Sequence, residues 1–227
     1  VNLIIKKGET LGIVGESGCG KSTFARLILR LIEATEGQVI FKGRDLMKLS
    51  EEEMRRTRLH IQMEFQDPYA SLNPRMRVGS ILSEPFVIHR LCSEKEAKKK
   101  AAELLELVGL GSDSLKKYPH EFSGGQRQRM TIARAVVKKP DILILDDSAS
   151  ALDYATDAAL RKAIRQMEGA PTVFIVSQRT SSLMSADRIL VLDDGEATGY
   201  GTHEELLKNC QTYREIYNSQ YGKKEEA

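Results

Sequence analysis

The sequence predicts an α/β fold: a mainly parallel sheet with helices on both faces, carrying a helical insertion. Three observations predict it. A glycine-rich loop, Gly15 to Thr23, joins a short apolar run at Leu11 to Val14 to a helical pattern over Phe24 to Leu31. Apolar runs at Ile142 to Leu145, Thr172 to Val176 and Ile189 to Leu192 alternate with helical spacing, as over Tyr154 to Met167. Such alternation builds a parallel sheet, because each crossover between parallel strands brings a covering helix. Between Asp67 and Phe122 the apolar spacing turns helical and strand patterns disappear.

In chain order, Val1 to Ile5 reads as a strand and Lys6 to Glu9 as a turn into the strand before the loop. Thr35-Glu36-Gly37 turns into a second short strand, Gln38 to Lys42, so the first residues and this strand form a truncated antiparallel region. Ser50 is the expected N-cap of an acidic helix start, Glu51 to Glu53. Leu59 to Phe65 reads as a core strand in which Glu64 is out of place, since a strand buried on both faces calls for an apolar residue. Either that strand has a wet face or Glu64 lowers stability. Val78 to His89 and Ser93 to Val108 follow as helices, the second opened by a Ser93/Glu96 capping box. Lys95, Lys98, Lys99 and Lys100 alternate with Glu94, Glu96 and Glu103, which makes a solvated helix face and gives no case for nucleic acid. Ser123 to Val137 is a helix, Thr202 to Lys208 and Tyr213 to Gln220 are terminal helices, and Lys223 to Ala227 is a polar tail. The expected division is a core of residues 1–66 and 130–227 with a helical subdomain of residues 67–129.

Composition excludes several classes. The 227 residues suit one large domain with a subdomain. With 34 Lys+Arg against 32 Asp+Glu the net charge is +2, so no general attraction to nucleic acid or anionic lipid follows. Cys19, Cys92 and Cys210 are widely spaced, as suits free thiols in a reducing compartment, and the cytosol is expected. No apolar run approaches the ~18 residues of a spanning helix, and the first residues lack a signal-peptide pattern.

The loop carries the chemistry. Gly15, Glu16, Ser17, Gly18, Cys19, Gly20, Lys21, Ser22 and Thr23 match GxxxxGKS in its strand-loop-helix context. The glycines let backbone amides curl round an anion at a helix N-terminus. Lys21 would reach the β- and γ-phosphates, and Ser22 would bind Mg²⁺. Asp146 ends an apolar strand, where ligands of such sheets bind, and could hold Mg²⁺ through water.

Phe122-Ser123-Gly124-Gly125-Gln126-Arg127-Gln128-Arg129 resembles the signature of the ATP-binding cassette (ABC) ATPases. The family's order of elements is reproduced by Gly15 to Ser22 (Walker A), Gln66 (glutamine loop), Ser123 to Gln126, Asp146 (Walker B), Ser150 to Asp153 (D-loop) and Gln178 (switch). The resemblance implies a P-loop NTPase fold with a RecA-like core, ATP and Mg²⁺ as ligands, and Mg²⁺ contacts from Ser22, Gln66 and Asp146. It further implies an ATP-dependent head-to-tail dimer in which Ser123, Gly124, Gly125 and Gln126 cap ATP held by the partner. Transmembrane subunits would dock near Gln66, leaving the chain cytoplasmic and peripheral to the inner face of a membrane. The implied catalytic residues are Asp147, Gln178 and Gln66, and two depart from the pattern. Asp147 stands where the family has glutamate, and Gln178 where it has histidine. Slow turnover is therefore expected, with a binding-only or vestigial cassette as the alternative. The family's upstream adenine-stacking aromatic has no counterpart among the fourteen residues before Gly15.

Residues Leu11 to Arg129, including Phe65 to Pro74 and Tyr118-Pro119-His120, resemble an oligopeptide or dipeptide importer ATPase. Asp146-Asp147-Ser148, Ser177-Gln178-Arg179 and the stretch from Gly201 to Tyr217 resemble the degenerate subunit of a heterodimeric exporter. A chimera joined near the signature helix is expected from this split, with a divergent natural cassette as the alternative.

Overall fold

The computed structural model describes residues 1–65, 71–146 and 152–221. Its centre is a sheet of six strands: β1 (Thr10–Val14), β4 (Ile61–Glu64), β5 (Ile142–Asp146), β6 (Thr172–Val176), β7 (Arg188–Asp193) and β8 (Glu196–Gly201), in spatial order β4-β5-β6-β1-β7-β8. The first five pair in parallel, and β8 returns antiparallel along β7. The continuous apolar runs are explained by burial on both faces. Val173, Ile175, Ile189 and Val191 enter one core, while Phe174, Val176, Leu190 and Leu192 enter the other. Successive side chains of a strand point to opposite faces, so β1, β5, β6 and β7 each serve both cores.

Helix α1 (Lys21–Ile28) and α2 (Glu51–Thr57) lie with the second core, to which Ala25, Ile28 and Met54 contribute. Ser50 and Glu53 form a reciprocal capping box at α2, where bonds to Ser50 and Arg44 pull Glu53 down to about 2. The other face is covered by α3 (Val78–Ile88), α4 (Glu94–Leu107), α5 (Gly124–Val136), α6 (Tyr154–Arg165), α7 (His203–Asn209) and α8 (Gln211–Tyr221). Ser93 and Glu96 box the start of α4 as the sequence predicts. Apolar contact runs from Leu82 and Leu105 through Met130 and Ile132 to Leu143, so the helical layer and the sheet share one core.

Three local expectations are corrected. Val1 to Ile5 forms no strand: Leu3 and Ile5 lean on the core and Ile4 is 87% exposed, but among the described residues no ladder partner runs alongside. The antiparallel pair is instead β2 (Ile40–Phe41) with β3 (Arg44–Asp45). β8 had no apolar alternation to announce it; its EATGYG sequence is a largely exposed edge that follows the register of β7 with an irregularity at Val191/Leu192.

Candidate nucleotide site

β1 delivers the chain into the phosphate loop at Gly15, and space decides that residue. A Cβ there would lie 2.2 Å from the backbone oxygen of Leu192 and 2.4 Å from Cys19 Sγ. The loop is braced from the same side, where the N–H of Gly195, in the β7–β8 turn, donates to the Cys19 oxygen at 3.1 Å. Gly20 takes φ 99° as the N-cap of α1, a conformation other residues rarely adopt. A Cβ at Gly18 would meet nothing within 4 Å, so the loop backbone faces open space that a phosphate could fill.

Lys21 is 93% buried, and its Nζ donates to the backbone oxygens of Gly15 at 2.9 Å and Glu16 at 2.6 Å. The ammonium is thus fixed across the loop at the positive end of α1. Ser22 Oγ donates to Asp146 Oδ1 at 3.2 Å, bringing a hydroxyl and a carboxylate from distant parts of the chain together. Burial raises the Asp146 carboxyl above its ordinary range, opposed by the Ser22 bond and by the charges of Arg26 and Lys21. This pair of oxygens suits Mg²⁺, which is commonly held by one or two protein oxygens together with substrate phosphates. Among the described residues no cluster of three or more His, Cys, Asp or Glu gathers at a metal position.

The remaining predicted residues divide. Ser123 is exposed and caps α5 reciprocally with Gln126: Ser123 N donates to Gln126 Oε1 at 3.0 Å, and Gln126 N to Ser123 Oγ at 3.3 Å. The side-chain bonds of this capping box stay within its own helix turn, leaving Gly124 and Gly125 at an open helix start. Gln178 follows β6 and is exposed, its backbone oxygen accepting from Gln220 Nε2 at 2.7 Å. Asp153 of the D-loop caps α6 through the N–H of Thr156 at 2.9 Å. Gln66, Asp147 and Ser150 lie outside the described residues.

Glu64 is 3% exposed, so the strand has no wet face at that position. Thr131 Oγ1, from α5, donates to its Oε1 at 2.7 Å, while Oε2 has no partner among the described residues. Burial pushes this carboxyl up to about 8, against the Thr131 bond, with the Asp146 charge adding to the rise and Arg134 opposing it. Beside it opens a cleft of about 240 Å³ between β4, α3 and α5, whose walls include Phe65, Glu84, Ile88 and Arg134. Glu64 could be singled out in sequence, as a charge in an apolar strand; Thr131 and Gln220 carried no local signal.

The family model described as ABC transporter matches residues 1–150. The oligopeptide transport ATP-binding protein AppF of Bacillus subtilis (strain 168) is 52% identical over 169 residues, covering 74% of this chain and 51% of that protein. OppF of Salmonella typhimurium, also an oligopeptide transport ATP-binding protein, is 43% identical over 213 residues, covering 92% of this chain and 64% of its own length. The chain therefore spans about half to two thirds of these two relatives. The dimeric structure of MJ0796, a bacterial ABC transporter cassette, superimposes with a TM-score of 0.80 at 31% identity, covering 89% of this chain and 88% of that one. The same cassette in a post-hydrolysis state bound to ADP and Pi agrees equally well. The alignment with OppF spans 92% of the chain and runs through the helix that starts at Ser123, so the expected junction and exporter-like second half find no support in it. Among the described residues no helix is long and apolar enough to cross a membrane.

Proposed function

The chain belongs to the ABC transporter ATP-binding family, and from that premise we propose that it binds Mg-ATP in the loop from Gly15 to Thr23 and hydrolyses it slowly. The observation that carries this reading is the assembled loop, with Lys21 fixed across it and Ser22 paired to Asp146. Loop amides and Lys21 bind and orient the phosphates, and Ser22 and Asp146 offer the oxygens for Mg²⁺, with Gln66 as a further ligand. Mg²⁺, when bound, supplies positive charge against the phosphate oxygens. Asp147 takes the proton of the attacking water, and its side chain is one methylene shorter than glutamate. A general base must come within ~2.6 to 3.2 Å of the group it deprotonates, so the shorter reach slows the step. Gln178 can hydrogen-bond a γ-phosphate but carries neither proton nor charge.

The names of AppF and OppF support a role in powering oligopeptide transport through membrane-spanning subunits, with the chain at the cytoplasmic face. The cleft beside β4, walled by α3 and α5, suits the docking of such a subunit. The exposed helix start at Ser123 suits capping of a second copy's phosphate loop, and MJ0796 is dimeric.

Calorimetric titration with Mg-ATP and a phosphate-release assay, each against Lys21→Ala, test the proposal. Binding and slow release are expected in the parent and neither in the variant; a parent that fails to bind refutes it. Asp147 and Gln178 favour a second reading, a binding-only cassette. That reading wins if the parent binds Mg-ATP but releases no more phosphate than Lys21→Ala.

A further inference from the structure

Gln220, at the end of α8, makes three hydrogen bonds to the loop that carries Gln178. Its Nε2 donates to the Gln178 backbone oxygen at 2.7 Å, and its Oε1 accepts from Thr180 N at 2.9 Å and from Thr180 Oγ1 at 3.0 Å. The partners fix the orientation of the amide, since a backbone N–H can only donate and a carbonyl can only accept. Thr180 is fully buried, whereas Gln178 is exposed, and among the described residues its bond to Gln220 is the only one Gln178 makes.

The rest of the loop is held elsewhere. Before Gln178, Ser177 N donates to the Ile13 oxygen at 3.0 Å, tying the loop to β1. After it, Arg161 of α6 donates to the Ser182 oxygen and is itself paired with Asp157 at 2.8 Å. Between these anchors Arg179 N donates to Ser177 Oγ at 3.0 Å within the loop, and among the described residues the bond that reaches Gln178 from outside the loop is the one from Gln220. α8 does not need Gln220 to stay in place, because Tyr213 and Ile216 are buried in the core and the Tyr213 hydroxyl meets His203 Nδ1 at 2.7 Å.

We propose that Gln220 is a positioning residue for the nucleotide site, holding the switch loop so that the Gln178 side chain can reach the γ-phosphate. The inference rests on the reading that ATP is hydrolysed here. Displacing a positioning contact by about 1 Å can lower a rate by about 100-fold, so a lost clamp acts on turnover more than on affinity, which the phosphate loop supplies.

Gln220→Ala and Gln220→Glu are compared with the parent for turnover, Mg-ATP affinity and amide exchange across residues 177–183. Gln220→Ala is expected to exchange faster at Thr180 and to turn over about tenfold or more slower with unchanged Mg-ATP affinity. A carboxylate at this position still accepts from Thr180 but opposes the Gln178 oxygen, and on protonation it can donate again. The turnover of Gln220→Glu relative to the parent should therefore rise as pH falls, while that of Gln220→Ala stays flat. Unchanged turnover in Gln220→Ala, or a fall matched by an equal loss of affinity, overturns the proposal. So does a Gln220→Glu profile parallel to that of Gln220→Ala, which a merely structural contact would give. A parent that binds Mg-ATP without releasing phosphate refutes hydrolysis alone; the clamp is then decided by the Thr180 amide, and unchanged exchange there overturns it.

Discussion

Replacing Glu64 by Gln should flatten the pH dependence of stability. In the unfolded chain this carboxyl titrates near 4.5, and in the folded protein burial pushes it up to about 8. The folded-state value is the raised one, so the stability linked to its proton is fully present below pH 4.5 and is lost as pH rises to about 8. Each unit of separation corresponds to about 1.36 kcal/mol, so between about pH 6 and pH 9 this one group should remove about 2 to 3 kcal/mol. Gln keeps the shape and still accepts from Thr131 through Oε1, and its Nε2 replaces an Oε2 that already lacks a partner. The variant should match the parent to within about 1 kcal/mol near pH 6 and exceed it by about 2 kcal/mol near pH 9. Urea unfolding of both proteins across that range reads the difference directly, since every other titrating group is common to the two and cancels. Parallel profiles would refute the buried, proton-binding state of Glu64, and a variant that loses stability relative to the parent as pH rises would show that the ionised carboxylate stabilises the fold.

Gly15→Ala should weaken Mg-ATP binding and cost about 1 to 3 kcal/mol in unfolding experiments, because the new Cβ would press on the Leu192 backbone oxygen, which no rotamer change can move aside. Asp147→Glu with Gln178→His should raise phosphate release more than either change alone, non-additively, because both act on one step; calorimetry showing unchanged Mg-ATP binding would confine the gain to chemistry. Light scattering should show a monomer without nucleotide that associates weakly on adding Mg-ATP, and a tight nucleotide-free dimer would contradict capping by Ser123 to Gln126.

The phosphate loop was legible because its residues are consecutive and each obeys a backbone rule. Gly15 is needed for space, Gly20 for a positive φ, and Lys21 and Ser22 fall at the start of the helix the loop opens. The N-cap at Ser50 and the capping box at Ser93 were legible for the same reason, and the structure completes boxes at Ser50 and Ser123 with partners three residues on. What could not be read depends on partners distant in sequence. Thr131 meets Glu64 across 67 positions and Gln220 meets Gln178 across 42, and neither pairing leaves a periodic trace. The strand expected at Val1 to Ile5 fails for a related reason: its alternation is strand-like, but a ladder needs a neighbour that the segment itself cannot reveal.

On the proposed function, binding and hydrolysis are encoded differently in this fold. Phosphate contacts come from backbone amides and one buried lysine, braced by Gly195 and packed against Leu192, so side-chain changes elsewhere leave them in place. Hydrolysis depends on how far side chains reach from the ends of β5 and β6, which are aligned with Asp146 level with Val176. β5 is locked between β4 and β6, and β6 between β5 and β1, so neither strand can slide to recover a lost methylene. If Asp147 and Gln178 act as proposed, the shorter and uncharged side chains subtract from turnover without compensation from the sheet. Among the described residues, the switch loop is held from outside the strands, through Gln220 and Arg161. Restoring turnover should accordingly require longer or charged side chains at positions 147 and 178 with the Gln220 clamp intact, and Gln220→Ala in the Asp147→Glu, Gln178→His background should cancel much of the gain.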